Sequence, residues 1–259
     1  MSAVSLSRNG VVATLTLDRP EARNALEPGM MVELRDLVTA LPHDGTRVLI
    51  LTGAGDVFCA GADIDWMRRS RDLTPEQNVA DAAVMRSLLD ALDACPLPII
   101  ARVNGHALGG GSGLVAIADT AVSVSGARFG FTEARLGLIP ATISPYVLRK
   151  IGPGHAQALF TTAVRFGAER AMRIGLVHEV CEPQQLEHRV ADAVLAYLEC
   201  GPGAIAETKR LLRDATAHLR LPDLPERLAA VRAGAEAQEG LAAFLEKRKP
   251  RWAPDSSAS

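Results

Sequence analysis

The sequence predicts an α/β protein, with parallel strands alternating with helices over the first two-thirds and a helical C-terminal part. Three observations carry this. Short, continuously apolar runs end at turn residues, as strands buried on both faces do. Between them, apolar residues recur at the three- and four-residue spacing of a helix. Beyond residue 153 the chain reads as mainly helical.

In Val11-Val-Ala-Thr-Leu-Thr-Leu17, residues Val11, Ala13, Leu15 and Leu17 share one face and Val12, Thr14 and Thr16 the other, the alternation of a strand. Asp18-Arg-Pro-Glu-Ala-Arg-Asn24 is a polar loop. Met30, Met31, Leu34, Leu37, Val38 and Leu41 predict a helix over residues 28–41. Val48-Leu-Ile-Leu-Thr52 is a buried strand ending at Gly53. Thr74-Pro75-Glu76-Gln77 starts a helix, with Thr74 as cap, proline at the first helical position and Gln77 three residues after the cap. Ala82, Met85, Leu89 and Leu92 carry it toward Cys95-Pro96. Pro98-Ile-Ile-Ala-Arg-Val103 is a second buried strand, followed by a Gly-rich turn and an apolar helical stretch from Leu114 to Ala118. Thr120-Ala-Val-Ser-Val-Ser125 is a third strand, and Ser144-Pro145 starts a helix that Gly152 ends. Leu186, Val190, Val194, Tyr197 and Leu198 form a helical stripe, and Gly201-Pro202-Gly203 breaks it. The segment to Lys249 reads as three short helices, and the tail from Pro254 as frayed. The expected division is a core over residues 1–198 and a helical region over 199–259.

Apolar residues make up 48% and charged residues 22% of the 259 positions, the balance of a globular protein rather than a disordered one. Only 4% is aromatic, so the core must be built from Ala, Val, Leu and Ile. Lys plus Arg number 28 against 30 Asp plus Glu, which lacks the basic field of a nucleic-acid binder. No apolar run is long enough to span a membrane, and the N-terminus lacks the pattern of a secretory signal, so a cytoplasmic protein is expected. Cys59, Cys95, Cys181 and Cys200 are not spaced as zinc ligands and suit buried roles in a reducing compartment.

Two segments could carry chemistry, Phe58-Cys-Ala-Gly-Ala-Asp-Ile64 and Asn104-Gly-His-Ala-Leu-Gly-Gly-Gly-Ser-Gly-Leu114. Each puts small residues where a strand gives way to a helix. The first N–H groups of a helix have no internal partner and favour a negative oxygen. Two such ends facing one point would make an oxyanion hole; alternatively, the glycines only permit tight turns and close helix packing. The glycines complete neither a dinucleotide fingerprint nor a P-loop nor a nucleophile elbow, because Leu114 stands at the closing position and no Gly-Lys-Ser/Thr follows. Ser112 reads as a helix-start residue and His106 as a polar loop residue. Glu133, in Phe129-Gly-Phe-Thr-Glu133, stands among apolar neighbours. It is either a desolvated acid/base carboxylate or an exposed helix-start glutamate capped by Thr132.

Taken in order, Arg19-Pro-Glu-Ala-Arg-Asn-Ala-Leu26, the segment at 58–64, Val103-Asn-Gly-His-Ala-Leu-Gly-Gly-Gly111, Phe129-Gly-Phe-Thr-Glu133, Leu136-Gly-Leu-Ile-Pro140, Gly175-Leu-Val177 and Ala243-Phe-Leu-Glu-Lys-Arg-Lys249 resemble the crotonase superfamily of enoyl-CoA hydratases and isomerases, from about Val11 to Trp252. The resemblance implies a crotonase-type spiral of ββα units with a helical C-terminal trimerisation region, a homotrimer or hexamer, and an acyl-CoA thioester as substrate. It implies no metal and no cofactor, coenzyme A being part of the substrate. By position, the N–H groups of Ala62 and Gly110 would be the oxyanion donors. Ala60 to Ile64, with Asp63 between, would hold the adenine through backbone groups. Arg23 is the candidate for the CoA phosphates, and Phe244 and Lys247 for a C-terminal CoA contact.

The sequence departs from the family at two places. Two-carboxylate hydratases carry a glutamate two residues after the glycine triplet, where this chain has Gly113; the second family glutamate matches Glu133. A site with Gly113 is expected to lose one anion and gain room, so that Gly113→Glu would raise hydration. The stretch after Pro140, usually Gly-rich, reads Ala141-Thr-Ile-Ser-Pro-Tyr-Val147. With Ala60-Gly-Ala-Asp-Ile-Asp-Trp-Met67, it resembles the methylglutaconyl-CoA hydratase-like subgroup, whose acyl groups are branched and carboxylated. The expected activity is hydration of a 2-enoyl-CoA by Glu133. The alternatives are a 3-enoyl/2-enoyl-CoA isomerase with Glu133 as sole base, or a catalytically weak CoA-binding member.

Overall fold

The computed structural model describes residues 2–215, 224–248 and 250–251. Trp252 and the tail from Pro254 lie outside them. Among the described residues, ten strands form two sheets. The first comprises β1 (Val4–Asn9), β2 (Val12–Leu17), β3 (Val48–Gly53), β5 (Ile99–Val103), β7 (Thr120–Val124) and β10 (Glu179–Cys181), in the order β1-β2-β3-β5-β7-β10. The second comprises β4 (Val57–Cys59), β6 (His106–Leu108), β8 (Arg128–Gly130) and β9 (Phe166–Gly167), in that order. All pairings are parallel except β1–β2 and β8–β9.

The expected strands at 11–17, 48–52, 98–103 and 120–125 are β2, β3, β5 and β7. Ala13, Leu15 and Leu17 point into the core from β2, as the alternation requires. β1 was not expected. It pairs with β2 through a two-residue turn in which Gly10 has φ 58°, a conformation that costs glycine little.

Among the described residues, ten helices surround the sheets. In α1 (Pro28–Ala40), Met30, Met31, Leu34 and Val38 are buried, and Glu27 caps the start by accepting from the N–H groups of Gly29 and Met30. α2 (Ile64–Arg69) is short. α3 (Pro75–Ala94) begins with the full capping box between Thr74 and Gln77, a device that stabilises by roughly 1 kcal/mol. α4 (Gly110–Ile117) is buried along almost its whole length. α5 (Ser144–Thr162) leaves helical geometry at Gly152 (φ 75°, ψ 160°), where the expected end falls, and resumes at Pro153. α6 (Ala168–Arg173), α7 (Leu186–Leu198), α8 (Pro202–Ala215), α9 (Leu224–Ala233) and α10 (Ala235–Leu245) are the remaining described helices. The 186–198 stripe is the core-facing side of α7.

The core is aliphatic, with one aromatic cluster beneath β8: Phe131 meets Phe160 edge-on at 5.0 Å and Phe129 stacks on Phe166 at 6.0 Å. Three cysteines are buried as expected, but Cys200 is exposed. Among the described residues no helix is long and apolar enough to cross a membrane, and no cluster of metal-ligating side chains forms.

Candidate active site

The site is built where β4 and β6, side by side in the second sheet, hand over to their helices. Asn24 fixes the outer wall. It is fully buried, and its Nδ2 donates to the carbonyls of Ala54 (2.8 Å) and Val57 (2.7 Å) while its Oδ1 accepts from the Arg19 N–H (3.0 Å). Leu26 then bridges to the 60–64 loop, donating to the Gly61 carbonyl (2.7 Å) and accepting from the Asp63 N–H (2.8 Å). This bridge skips the Ala62 N–H, which has no backbone partner among the described residues.

Across from it, Gly109 (φ 50°, ψ −120°) turns the chain out of β6 into α4. Gly110 is the first helical residue, so its N–H also lacks a backbone partner. The two turns touch: a β-carbon on Gly61 would lie 2.9 Å from the Leu108 carbonyl oxygen, and one on Gly111 would lie 2.5 Å from the Cys59 carbonyl oxygen. Glycine is required here for close backbone approach, and that approach is what brings Ala62 and Gly110 to one cavity.

Glu133 begins the 3-10 turn Glu133–Leu136 after β8. Thr132 makes no capping bond with its side chain, so the exposed, capped reading fails. The Glu133 Oε2 is shut off from solvent and has no hydrogen-bond partner among the described residues. Burial pushes the carboxyl up to about 7, against a smaller pull from its own N–H. A carboxylate with that pKa is half ionised near neutrality and can take up and return a proton.

These groups line one cavity of about 360 Å³. Its wall is apolar, with Leu26, Met85, Leu138, Ile143, Leu241 and Phe244, and Glu133 is the only carboxylate on it among the described residues. The roof comes from the chain's own C-terminal helices. α9 packs on α3 and α10 on the Glu133–Leu136 turn. A β-carbon on Gly240 would lie 2.3 Å from the Leu136 carbonyl oxygen, and one on Gly137 would lie 2.7 Å from the Glu236 carbonyl group. Arg232 of α9, buried at the cavity wall, pairs with Asp81 at 2.6 Å, and the Trp66 Nε1 donates to the same carboxylate at 2.6 Å.

The model of the family described as enoyl-CoA hydratase/isomerase matches residues 7–255. The chain belongs to that family. It is 35% identical to the crotonyl-CoA hydratase of Syntrophomonas wolfei, over 96% of this chain and 97% of that protein. It is 31% identical to the 2,3-dehydroadipyl-CoA hydratase of Escherichia coli, over 96% and 98%. The crystal structure of an enoyl-CoA hydratase from Mycobacterium avium superposes with a TM-score of 0.86 at 34% identity, covering 98% of this chain and all of that one. The two-sheet architecture with its helical C-terminus is therefore the crotonase fold.

In this enoyl-CoA hydratase/isomerase chain the remaining residues expected at the site fall in different places. Arg23 is exposed, and its carbonyl accepts from the Ala60 N–H at 3.0 Å, which seats it beside the 60–64 loop. Ala60 lines the cavity, and Ile64 is exposed at the first position of α2. Asp63 is spent on structure. Its carboxylate caps α2 through the N–H groups of Asp65 and Trp66 and pairs with Arg19 at 2.9 Å. Burial pushes that carboxyl up, but the Trp66 N–H and the Arg19 guanidinium outweigh it and hold the group below its usual value. Phe244 lines the cavity of its own chain, whereas Lys247 is exposed beyond α10 and does not line it.

Gly113 overturns one expectation. No room is left there: a β-carbon on Gly113 would lie 2.4 Å from Ile143 Cγ2 and 3.0 Å from Ile143 Cβ. Ser112 is also unavailable as a nucleophile, because its buried Oγ donates to the Ala107 carbonyl at 2.6 Å. His106 lies in β6 rather than in a loop, exposed, and its Nδ1 accepts from the Arg128 N–H. Sequence reading missed Asn24, Ile143 and the Arg232–Asp81–Trp66 group. The departure from a Gly-rich stretch at 141–143 was the available signal for Ile143.

Proposed function

We propose that the protein adds water across the double bond of a 2-enoyl-CoA thioester. The observation that carries this reading is the shared cavity: a buried Glu133 oxygen beside two turns, with that oxygen and the Ala62 and Gly110 N–H groups unpartnered among the described residues. The thioester oxygen accepts from those two N–H groups. Glu133, as carboxylate, takes a proton from water while the water oxygen bonds to the β-carbon. The π electrons move onto the thioester oxygen, giving an enolate that the two donors stabilise. Glu133 then returns the proton to the α-carbon, and the carboxylate is regenerated. Atoms and charge balance with these groups alone.

The finer reading is a branched or carboxylated acyl group such as methylglutaconyl. It is supported by the resemblance of residues 60–67 and 141–147 to that subgroup and by Arg135 and Arg165 on the cavity wall. The cation for a substrate carboxylate would be one of these. Arg23 is proposed for the CoA phosphates, and a trimer-based assembly through the C-terminal helices is proposed as the working state. A second reading, isomerisation of a 3-enoyl-CoA, is favoured by Glu133 being the only carboxylate on the described cavity wall. Loss of the enoyl-thioester absorbance of crotonyl-CoA and methylglutaconyl-CoA, measured with wild type and Glu133→Gln, tests the first reading. Conversion by the wild type and not by the variant supports it; equal conversion by both removes it.

A further inference from the structure

Two features of the sequence that lie thirty positions apart prove to be one feature of the structure. Gly113 is buried in α4, and Ile143, only 2% exposed, stands directly against it. Ile143 also lines the cavity that holds Glu133 and Gly110. Gly110 and Gly113 are three residues apart on α4, so they share a helix face. The rise between them is about 4.5 Å. Ile143 therefore stands one turn beyond the N–H proposed to hold the thioester oxygen, beside the carbons that follow the carbonyl.

We infer that Ile143 is a specificity-determining residue: its branched side chain occupies the volume in front of Gly113 and sets how large a substituent the β-carbon of the acyl group can carry. The inference rests on the hydration reading for where the acyl group lies. The side chain is β-branched, with few χ1 alternatives, and is held in the buried core cluster. The glycine is the other half of the device, because any side chain at 113 collides with it.

The test compares wild type and Ile143→Ala on crotonyl-CoA and on a 2-enoyl-CoA with an ethyl branch at the β-carbon. One or two methylenes of pocket space change discrimination by about 10-fold or more. The ratio of kcat/KM, branched over straight, should rise by at least about 10-fold in the variant. An unchanged ratio, or a parallel loss on both thioesters, overturns the inference. If Ile143→Ala does not fold, Ile143→Val should move the ratio the same way by about 3-fold. If the wild type hydrates neither thioester, it is the hydration reading that fails. The inference is then decided by calorimetric Kd values for the two saturated acyl-CoA analogues, which should shift toward the branched one in Ile143→Ala. A second measurement needs no activity. Gly113→Ala alone should lower the Tm by about 5 °C, and adding Ile143→Ala should recover at least half of that. Additive losses would show that the pair does not compete for one space.

Discussion

The Glu133 Oε1 lies 3.5 Å from where a β-carbon on Gly109 would stand. Gly109 is the residue that launches α4, so the carboxylate faces the turn that carries the Gly110 N–H, with no side chain at 109 between them. Opposed effects meet at this carboxyl. Burial favours its neutral form, whereas its own N–H favours the charged one. Burial prevails, and the result is a pKa of about 7.

Glu133→Gln should therefore fold, bind CoA thioester and turn over at least about 100-fold more slowly. The wild-type kcat/KM should fall below pH 7 with a slope of one, because the base form is lost as pH drops through the pKa. Stability runs the other way. A carboxyl raised above its unfolded value stabilises below the ordinary carboxylate range and loses that contribution as pH rises through about 7. The variant should gain on wild type in denaturant midpoint between pH 5 and pH 9.

Four strands of the first sheet and the longer helices were legible because each has enough residues to show a period, whereas β10, with three, was not expected. β2, β3, β5 and β7 run five or six residues, and α3 carries its complete capping box in the sequence. The second sheet was not, because β4, β6 and β8 have three residues each and β9 two, too few for alternation to register. β1 was missed although Asn9-Gly10 between two runs is a hairpin signal. Of the site, Ala62, Gly110 and Glu133 were placed by resemblance and meet in one cavity. The Gly113–Ile143 contact was hidden, because a glycine reads as empty space until its neighbour is known.

Asp63 holds the 60–64 loop through two capping bonds and the Arg19 pair. Asp63→Ala should cost about 1–3 kcal/mol in denaturant unfolding. Because the loop then loosens around Ala62, KM for acyl-CoA should rise and kcat should fall. A change in stability with both constants unaltered would show that the loop keeps its shape without the carboxylate.

Gly240 allows α10 to rest on the backbone of Leu136. Gly240→Ala should push the roof off the Glu133 turn, costing about 1–3 kcal/mol and raising KM with little change in Tm of the remaining core transition. Amide exchange at residues 133–136 should quicken in parallel; unaltered exchange there would mean that α10 does not brace the turn.

Leu195 of α7 and Leu211 and Leu212 of α8 are exposed large apolar residues near the C-terminal helices. In the proposed trimer-based assembly such residues would be covered. Sedimentation at micromolar concentration should give a trimer or a multiple of it; a monomer would contradict the proposal.

Addition of water to an enoyl thioester by one buried glutamate and two backbone N–H groups can be followed by isotope. Wild-type protein is incubated with a 2-enoyl-CoA, straight or branched, in ¹⁸O-labelled water. The expected product is a 3-hydroxyacyl-CoA labelled at the new hydroxyl, lost in Glu133→Gln. Conversion of a 3-enoyl-CoA to its 2-enoyl isomer, with no labelled hydroxyl in any 2-enoyl-CoA tested, would contradict it.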